Sequence, residues 1–299
     1  MNRLFCFGLG YTAQRVAQRL ARRGWSVAGT ARTPEGAEHI AAQGYDAFVF
    51  DGSSPGVGVA EELARATHVL VSAPPDAEGD PVLRHYTDDL ARAPSLGWMG
   101  YLSTVGVYGD SQGAWIDETM PAEATSARGR RRIVAEQDWL ALGAHRATRT
   151  QIFRLAGIYG PGRSAIERMR EGNAHRVVKP GQVFNRIHVD DIAAAVIAGI
   201  DGRGAERIYN VTDDEPAPPQ DVITFAAGLL HMPPPPEVPF EDAQLSPMAA
   251  SFYVDNKRIR NDRLRQELGV ALQFPTYREG LRAILEPSAA LTFSTVVPP

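Results

Sequence analysis

The sequence predicts an α/β fold in which a parallel β-sheet is covered by helices on both faces. Short apolar runs alternate with segments of helical spacing through the first half of the chain. The 299 residues are 44% hydrophobic and 22% charged, which provides enough apolar side chains for a sizeable core. A glycine-containing turn at residues 8–13 separates the first apolar run from the first helical segment. These observations exclude a disordered chain and favour a layered architecture.

The elements follow from the apolar pattern in chain order. Strands are predicted where short apolar runs occur, at residues 4–8, 25–30, 47–50, 69–72, 99–103 and 150–155. Helices are predicted between them, at residues 12–23, 39–43, 61–66, 83–92 and 131–142. Beyond residue 160 we expect helices at 165–171, 190–200, 221–230, 261–268 and 277–285, and strands near 177 and at 207–211. The four prolines at 233–236 are expected to form a stiff connector.

The first turn has the pattern G-x-G-x-x-A, formed by Gly8, Gly10 and Ala13. Gly8 permits a tight turn, and Gly10 lets the backbone approach a pyrophosphate. Ala13 lets the helix pack closely on the strand, and the phosphates then meet free N–H groups at the helix N-terminus. Tyr11 and Thr12, at the start of that helix, complete the expected contacts with a dinucleotide. The alternative is a tight turn that binds no ligand.

The end of the second strand indicates which dinucleotide is bound. An NAD site places an acidic residue there to bind the ribose 2′-hydroxyl, about 20 residues after the glycines. Here the residues are Thr30, Ala31, Arg32 and Thr33, with one arginine and no acid. A 2′-phosphate would suit Arg32, with Thr30 or Thr33 beside it. The pattern favours NADP over NAD, and the alternative is an ordinary solvated arginine.

Further motifs extend along the chain. They are Asp51, residues 103–109 (Ser-Thr-Val-Gly-Val-Tyr-Gly), residues 154–163, residues 186–191, and residues 257–269 and 274–281. Together with the glycine turn, they resemble the extended short-chain dehydrogenase/reductase family, also called the NAD-dependent epimerase/dehydratase family. The glycine turn has one residue fewer than most extended members, which indicates an atypical subgroup. The resemblance implies a doubly wound parallel Rossmann sheet with a smaller C-terminal substrate lobe, and adds Asp51 and Ser72 to the cofactor contacts.

The resemblance also implies a catalytic Ser/Thr, Tyr and Lys. The Ser/Thr position, four residues before the tyrosine of the Val-Tyr-Gly segment, falls on Thr104. Its hydroxyl is suited to hydrogen-bond a substrate carbonyl or hydroxyl, and the neighbouring Ser103 is a candidate to assist. The alternative for Thr104 is a strand-end residue that caps its own backbone.

The Tyr-x-x-x-Lys pair expected in the next helix is missing. With Glu136 as the anchor, the tyrosine position falls near Arg128 and the lysine position near Arg132. Arg132 is a candidate to keep the positive charge, but arginine does not titrate in the useful range and cannot replace a phenol as a proton donor. A water or a displaced residue would then supply the proton.

Other titratable residues are considered as the proton donor that the missing tyrosine would provide. Tyr253 and Lys257 have the right spacing but lie where the substrate lobe is expected, so we interpret them as a coincidence. Tyr108 is expected to pack beside the site and Tyr159 to border the cleft. His188 titrates near neutrality and can act as a proton donor, although a structural role is favoured.

The expected domains are a dinucleotide-binding unit of residues 1–160 with 187–212, a substrate lobe of about 161–186 with 213–287, and a tail at 288–299. The function expected is an NAD(P)-dependent oxidoreductase or epimerase-like enzyme that transfers hydride at a hydroxyl or carbonyl carbon of a small molecule. The alternative is an NADP(H)-binding sensor or regulatory protein that has lost the Tyr/Lys pair.

Composition bounds the partners. The net charge of −4 argues against nucleic acid, and the basic run at residues 130–132 is expected to be a solvated helix face. The lone Cys6 excludes an intrachain disulfide and a cysteine zinc cluster, and no metal is expected. No apolar stretch is long enough to span a membrane. We therefore expect a cytoplasmic protein with a small-molecule substrate, and a homodimer remains open.

Overall fold

The computed structural model describes residues 2–205 and 207–286. Its strands are β1 (Arg3–Phe7), β2 (Ser26–Ala31), β3 (Asp46–Val49), β4 (His68–Val71), β5 (Trp98–Thr104), β6 (Trp115–Ile116), β7 (Arg149–Leu155), β8 (Gly157–Tyr159), β9 (Arg176–Val178), β10 (Arg186–His188), β11 (Ile208–Val211), β12 (Glu237–Pro239) and β13 (Arg258–Ile259). The expected tail at 288–299 lies outside the described residues.

The helices alternate with these strands. They are α1 (Tyr11–Ala21), α2 (Pro34–Ala41), α3 (Val59–Leu63), α4 (Pro81–Arg92), α5 (Ala127–Arg146), α6 (Ala165–Arg170), α7 (Val189–Ile200), α8 (Pro219–Leu229), α9 (Pro247–Ser251), α10 (Asp262–Gln266) and α11 (Tyr277–Leu285). Short 3₁₀ turns occupy Val105–Val107 and Phe240–Asp242. Within the described ranges, no helix has the length and apolar character needed to cross a membrane.

The central sheet confirms the predicted doubly wound architecture. Seven parallel strands lie in the order β11-β7-β5-β4-β1-β2-β3. The chain builds outward from β1 in one direction through β2 and β3, and in the other through β4, β5, β7 and β11. The strand order therefore reverses between β1 and β4, and a crevice outside the carboxyl ends of the strands is the usual ligand site of such a sheet.

Apolar side chains bury both faces of the sheet. On one face, α1 and α7 pack together and contribute side chains such as Val16 and Ile192. On the other face, α3, α4 and α5 contribute side chains such as Leu63, Tyr86 and Trp139. Each fully buried side chain of this size contributes about 1.5–3 kcal/mol to folding. The two layers hold the carboxyl ends of the strands in fixed positions.

A third apolar cluster lies among the C-terminal elements. It joins α6, α8 and α11, and it includes Tyr159 and Tyr277. Three pairs of short parallel strands, β8 with β10, β9 with β12 and β6 with β13, lie outside the central sheet. Since Tyr159 falls in the unit expected to bind the dinucleotide yet packs in this cluster, the domain limits stay a prediction.

Helix α2 begins at Pro34 rather than at residue 39, and helices α5 and α10 also differ in length from the predictions. Helix α5 begins at Ala127 rather than near residue 131, because Ser126 caps it by accepting a hydrogen bond from Gly129 N (3.0 Å), while its first turn is polar and lacks apolar periodicity. Helix α10 ends at Gln266, before Gly269 takes a left-handed conformation with φ of +63°.

Candidate active site

The glycine turn is held in place by the second strand. Gly8 adopts φ of +81°, a left-handed conformation that favours glycine. Its N–H donates to Oγ1 of Thr30 at 2.9 Å, and the N–H of Leu9 donates to the carbonyl of Thr30 at 2.9 Å. Gly10 N donates to Gly8 O at 2.8 Å, which closes the turn. The structure therefore places this turn at the carboxyl end of β1, where the strand order reverses.

The start of α1 faces open space. A Cβ built on Gly10 would meet no protein atom within 4 Å. The first intrahelical bond runs from Gln14 N to Gly10 O at 2.8 Å, so the N–H groups of residues 11–13 precede the helical ladder. Thr12 and Ala13 are buried, and Ala13 packs in the core beneath the sheet. This is a free helix N-terminus that suits an anion.

Tyr11 connects the turn to the C-terminal elements. Its hydroxyl donates to the carbonyl of Pro161 at 3.1 Å, and the guanidinium of Arg163 lies 5.8 Å from its ring centroid. A Cβ on Gly160 would come within 2.5 Å of the Tyr11 hydroxyl, so glycine is needed for this close approach. Tyr11 thus borders the crevice, with its side chain turned to the loop after β8.

Arg32 differs from the threonines beside it. Thr30 is 2% exposed, and its Oγ1 accepts the hydrogen bond from Gly8 N, so its side chain is turned to the glycine turn. Thr33 caps α2 by accepting a hydrogen bond from Gly36 N at 3.2 Å. The Arg32 side chain is exposed and makes no hydrogen bond or ion pair with the rest of the described chain. A free cation thus stands at the end of β2.

Asp51 and Ser72 lie at the ends of β3 and β4. The Oδ1 atom of Asp51 accepts hydrogen bonds from Ser53 N (2.8 Å) and Ser53 Oγ (2.7 Å), which lower the pKa of this exposed carboxyl. Ser72 N donates to Phe7 O at 2.8 Å, and the next residue would lie 3.3 Å from a Cβ on Gly8. Ser72 is therefore beside the glycine turn, whereas Asp51 is further along the edge of the sheet.

Thr104 is the last residue of β5 and is half-buried. Its Oγ1 accepts a hydrogen bond from Gly106 N at 3.1 Å, which caps the following 3₁₀ turn. This agrees with the alternative that Thr104 caps its own backbone at the strand end. Because Oγ1 acts as the acceptor in that bond, the hydroxyl proton stays available for a substrate oxygen. Thr104 can thus both cap and donate.

Ser103 has a different environment from Thr104, and the geometry lends no support to its expected assisting role. Its side chain is buried, and Oγ donates to Oε1 of Glu136 at 2.5 Å. Successive residues of a strand point to opposite faces, so the two hydroxyls diverge. Ser103 stabilises the interior rather than the crevice.

Glu136 belongs to a buried polar network that the sequence reasoning missed. Oε2 of Glu136 lies 2.6 Å from Nη2 of Arg154, and Arg154 Nη1 donates to the hydroxyl of Tyr108 at 2.8 Å. Tyr108 in turn donates to Oδ1 of Asn210 at 2.9 Å. The available signal was an acid and an arginine placed in otherwise apolar segments, which indicates a buried pair.

The position that the resemblance gives to the tyrosine is occupied by Arg128, whose side chain is exposed in the first turn of α5. Arg132, one turn later, is 8% exposed. Its Nη1 donates to Leu102 O at 2.7 Å and to the hydroxyl of Tyr101 at 3.0 Å, and its Nε is buried without a partner within the described ranges. A fixed cation with an unused donor therefore lies beside the end of β5.

The ammonium group of Lys257 is hydrogen-bonded to two backbone carbonyls and one carboxylate. Its Nζ donates to the carbonyls of Tyr108 (2.8 Å) and Gly109 (3.1 Å) and to Oδ2 of Asp255 (3.1 Å). The ring of Tyr253 packs instead against Phe184, with centroids 5.0 Å apart. Lys257 therefore holds the loop after β5 and does not pair with the Tyr253 hydroxyl.

His188 has the structural role that was favoured. Its side chain is 2% exposed, and Nδ1 accepts a hydrogen bond from Asp190 N at 3.2 Å at the start of α7. Burial lowers its pKa to about 4, so the imidazole is neutral at pH 7. Asp191 accepts hydrogen bonds from Gln273 N and Phe274 N, which ties α7 to the C-terminal segment.

The comparisons with known proteins agree with this arrangement. The model of the NAD-dependent epimerase/dehydratase family matches residues 89–212, a segment that contains Thr104, Arg132 and Arg154. The chain is 28% identical over 288 residues to the protein YeeZ of Escherichia coli K12, covering 92% of this chain and 97% of YeeZ. It is 29% identical over 184 residues to a 3-diazoavenalumate denitrifying reductase of Streptomyces, covering 56% of this chain and 55% of the reductase.

A solved structure covers almost the same length. It is that of a conserved protein of unknown function from Silicibacter pomeroyi DSS, with 48% identity and a TM-score of 0.89. The match covers 96% of this chain and 99% of that one. The two chains therefore share the fold over nearly all of the aligned length.

Proposed function

This chain belongs to the NAD-dependent epimerase/dehydratase family, the extended branch of the short-chain dehydrogenases/reductases, and on that premise we propose that it is an NADP(H)-dependent oxidoreductase or epimerase acting on a small molecule. The observation that carries the proposal is the open space at Gly10, which we call the cradle. There the N-terminus of α1 lies where the strand order of the central sheet reverses. A pyrophosphate there gains backbone N–H donors and the positive end of the helix.

The residues present fit a nicotinamide dinucleotide. Gly8 and Gly10 leave the backbone accessible for the pyrophosphate, and Tyr11, Thr12 and Ala13 supply the N–H groups of the first helical turn. The guanidinium of Arg132 lies beside the end of β5, where it is suited to provide a permanent positive charge near the nicotinamide ribose. Ser72 lines the turn from β4. Asp51 is suited to the adenine end because it is exposed at the end of β3.

Arg32 makes NADP the preferred form over NAD. A phosphate on the adenine ribose would meet an exposed guanidinium that has no competing carboxylate partner within the described ranges. The start of α2 follows directly, with Thr33 as its cap. The NAD alternative lacks the acidic residue that would bind the 2′-hydroxyl.

The chemistry proposed is hydride transfer at a hydroxyl or carbonyl carbon. The bound nicotinamide supplies the hydride donor or acceptor. Thr104 donates a hydrogen bond from its free hydroxyl proton to the reacting oxygen, and Arg132 stabilises negative charge that develops nearby. Arg128 occupies the position of the phenol and cannot act as the acid or base. A water beside Thr104 therefore gives or takes the proton of the reacting oxygen.

A second candidate function follows from that same replacement. A protein that binds NADP(H) without turnover needs the cradle and Arg32 but no proton donor. The absence of a phenol at Arg128 favours this sensor, whereas the free proton of Thr104 favours the enzyme.

The two functions are separated by a hydride-transfer assay. NADPH oxidation and NADP reduction are followed by absorbance with a broad panel of carbonyl, hydroxyl and nucleotide-sugar compounds. The enzyme turns over at least one compound, and Thr104→Ala abolishes most of that rate. The sensor turns over none, yet binds NADPH and changes the protease sensitivity of its C-terminal elements. A chain that binds neither dinucleotide contradicts both.

A further inference from the structure

A tight turn follows β8 and carries Arg163 at its end. Gly160 N donates to Arg163 O at 3.2 Å, and Arg163 N donates to Gly160 O at 3.0 Å. Pro161 and Gly162 are the two central residues, and Gly162 has φ of +77°, which is typical of a type II turn. The backbone position of Arg163 is therefore set by hydrogen bonds within these residues, 160–163, which we call the β8 turn.

Tyr11 holds the β8 turn against the start of α1. Its hydroxyl donates to Pro161 O at 3.1 Å, and the guanidinium of Arg163 lies 5.8 Å from the centroid of its ring. Tyr11 is also the first residue of α1, so its backbone N–H is one of the donors that precede the helical ladder. The guanidinium and the free donors of α1 therefore lie beside the same residue.

The guanidinium of Arg163 is available to a ligand. Its side chain is exposed, and it forms no hydrogen bond or ion pair with residues 2–205 or 207–286. The carboxylate of Glu167, four residues later, already accepts hydrogen bonds from Gly162 N at 3.0 Å and from Ser164 Oγ. In that part of the chain, no carboxylate therefore neutralises the charge of Arg163 through an ion pair.

The first turn of α1 has no charged side chain of its own, since it consists of Tyr11, Thr12 and Ala13. The positive end of a helix amounts to about half an elementary charge, whereas each phosphate of a dinucleotide carries a full negative charge. A guanidinium beside this turn would supply the additional positive charge. Its planar N–H donors also match the geometry of phosphate oxygens.

We propose that Arg163 binds the pyrophosphate of the dinucleotide, together with the backbone N–H groups at the start of α1. Tyr11 is a positioning residue, because its hydroxyl holds the β8 turn while its ring lies beside the guanidinium. This role differs from that of Arg32, which lies at the end of β2 and is assigned to the 2′-phosphate. The inference rests on the proposed function, since it adds a residue to the cofactor site of that function.

Calorimetric titration of the intact chain with NADPH, NADH and ADP-ribose tests the proposal. ADP-ribose has the pyrophosphate but neither the nicotinamide nor the 2′-phosphate. Arg163→Gln should weaken the binding of all three compounds by a similar factor, about tenfold to a hundredfold, as for a lost charge-assisted hydrogen bond. Arg163→Lys keeps the charge and should recover part of that loss. Tyr11→Phe keeps the ring and should weaken all three about twofold to tenfold.

The control is Arg170→Gln, which removes an exposed cation from the following helix and should leave all three affinities unchanged. Circular dichroism verifies that each variant is folded. The proposal is overturned if Arg163→Gln leaves the affinity for ADP-ribose or for NADH unchanged, or if Arg170→Gln has an equal effect.

Failure of the proposed function gives a different result. A chain that binds the dinucleotides through Arg163 but turns over no compound of the panel keeps this contact and loses the hydride transfer. A chain that binds none of the three compounds contradicts both the contact and the function.

Discussion

The Oε2 atom of Glu136 lies 2.6 Å from Nη2 of Arg154, in an ion pair whose side chains are 4% and 5% exposed. Ser103 donates to Glu136, and Arg154 donates to Tyr108, so the pair is hydrogen-bonded on both sides. The pair connects α5 to β7 and to the end of β5. It therefore fixes the segment that presents Thr104 at the crevice.

Glu136→Gln should destabilise the protein by about 3–5 kcal/mol, because the charge of Arg154 stays buried without its partner. The free energy of unfolding in urea measures the loss. Asp88→Asn is the matched control, since it breaks an exposed pair with Arg92 (3.1 Å) and should cost less than about 0.5 kcal/mol. Similar losses of unfolding free energy in both variants would show that the buried ion pair stabilises the protein no more than the exposed one.

Gly10→Val should abolish dinucleotide binding and leave the fold intact. The added side chain meets no protein atom within 4 Å of its Cβ, but it occupies the approach of the pyrophosphate to the backbone. Calorimetry measures the binding and circular dichroism the fold. Gly97→Val adds the same side chain in similarly open space before β5, far from the carboxyl ends, and should bind normally. A folded Gly10→Val variant that binds the cofactor normally would show that the pyrophosphate does not bind at Gly10.

Thr104→Ala should lower kcat about 10²–10³-fold on any compound that is turned over, and Thr104→Ser should restore most of it. Tyr253→Phe is the comparison: it should leave kcat and the pH–rate profile unchanged. Steady-state kinetics with both variants separates the roles. A collapse of kcat in Tyr253→Phe would instead identify Tyr253 as the acid/base.

His188 should contribute to acid sensitivity. The imidazole protonates near pH 6.5 in the unfolded chain, whereas burial lowers its folded pKa to about 4. Between these values the unfolded chain binds more protons, so stability falls as the pH decreases from about 6.5 to 4. Urea unfolding at several pH values should show a shallower slope for His188→Asn, since asparagine keeps the helix cap without titrating. An unchanged slope would contradict the burial effect.

The first half of the fold was predictable because each buried parallel strand leaves a continuous apolar run, and each covering helix an apolar stripe. The strands β6 and β13 span two residues each, and their pairing depends on contacts across the chain. Local sequence carries no signal for such pairs. The glycine turn was identified because its spacing follows from local backbone geometry.

The candidate site was predictable in part for the same reason. Alternation along β5 shows that Ser103 and Thr104 point to opposite faces, but not which of them faces the crevice. The position of Glu136 in the core decides that question, and it depends on the packing of α5.

The most direct measurement is calorimetric titration of the unsubstituted chain and of Arg32→Gln with NADPH and with NADH. The exposed guanidinium of Arg32 at the end of β2 should make NADPH bind about tenfold to a hundredfold more tightly than NADH. Arg32→Gln should remove that preference and leave the affinity for NADH unchanged. Absence of binding by either dinucleotide, or tighter binding of NADH to the unsubstituted chain, would contradict the NADP(H) site.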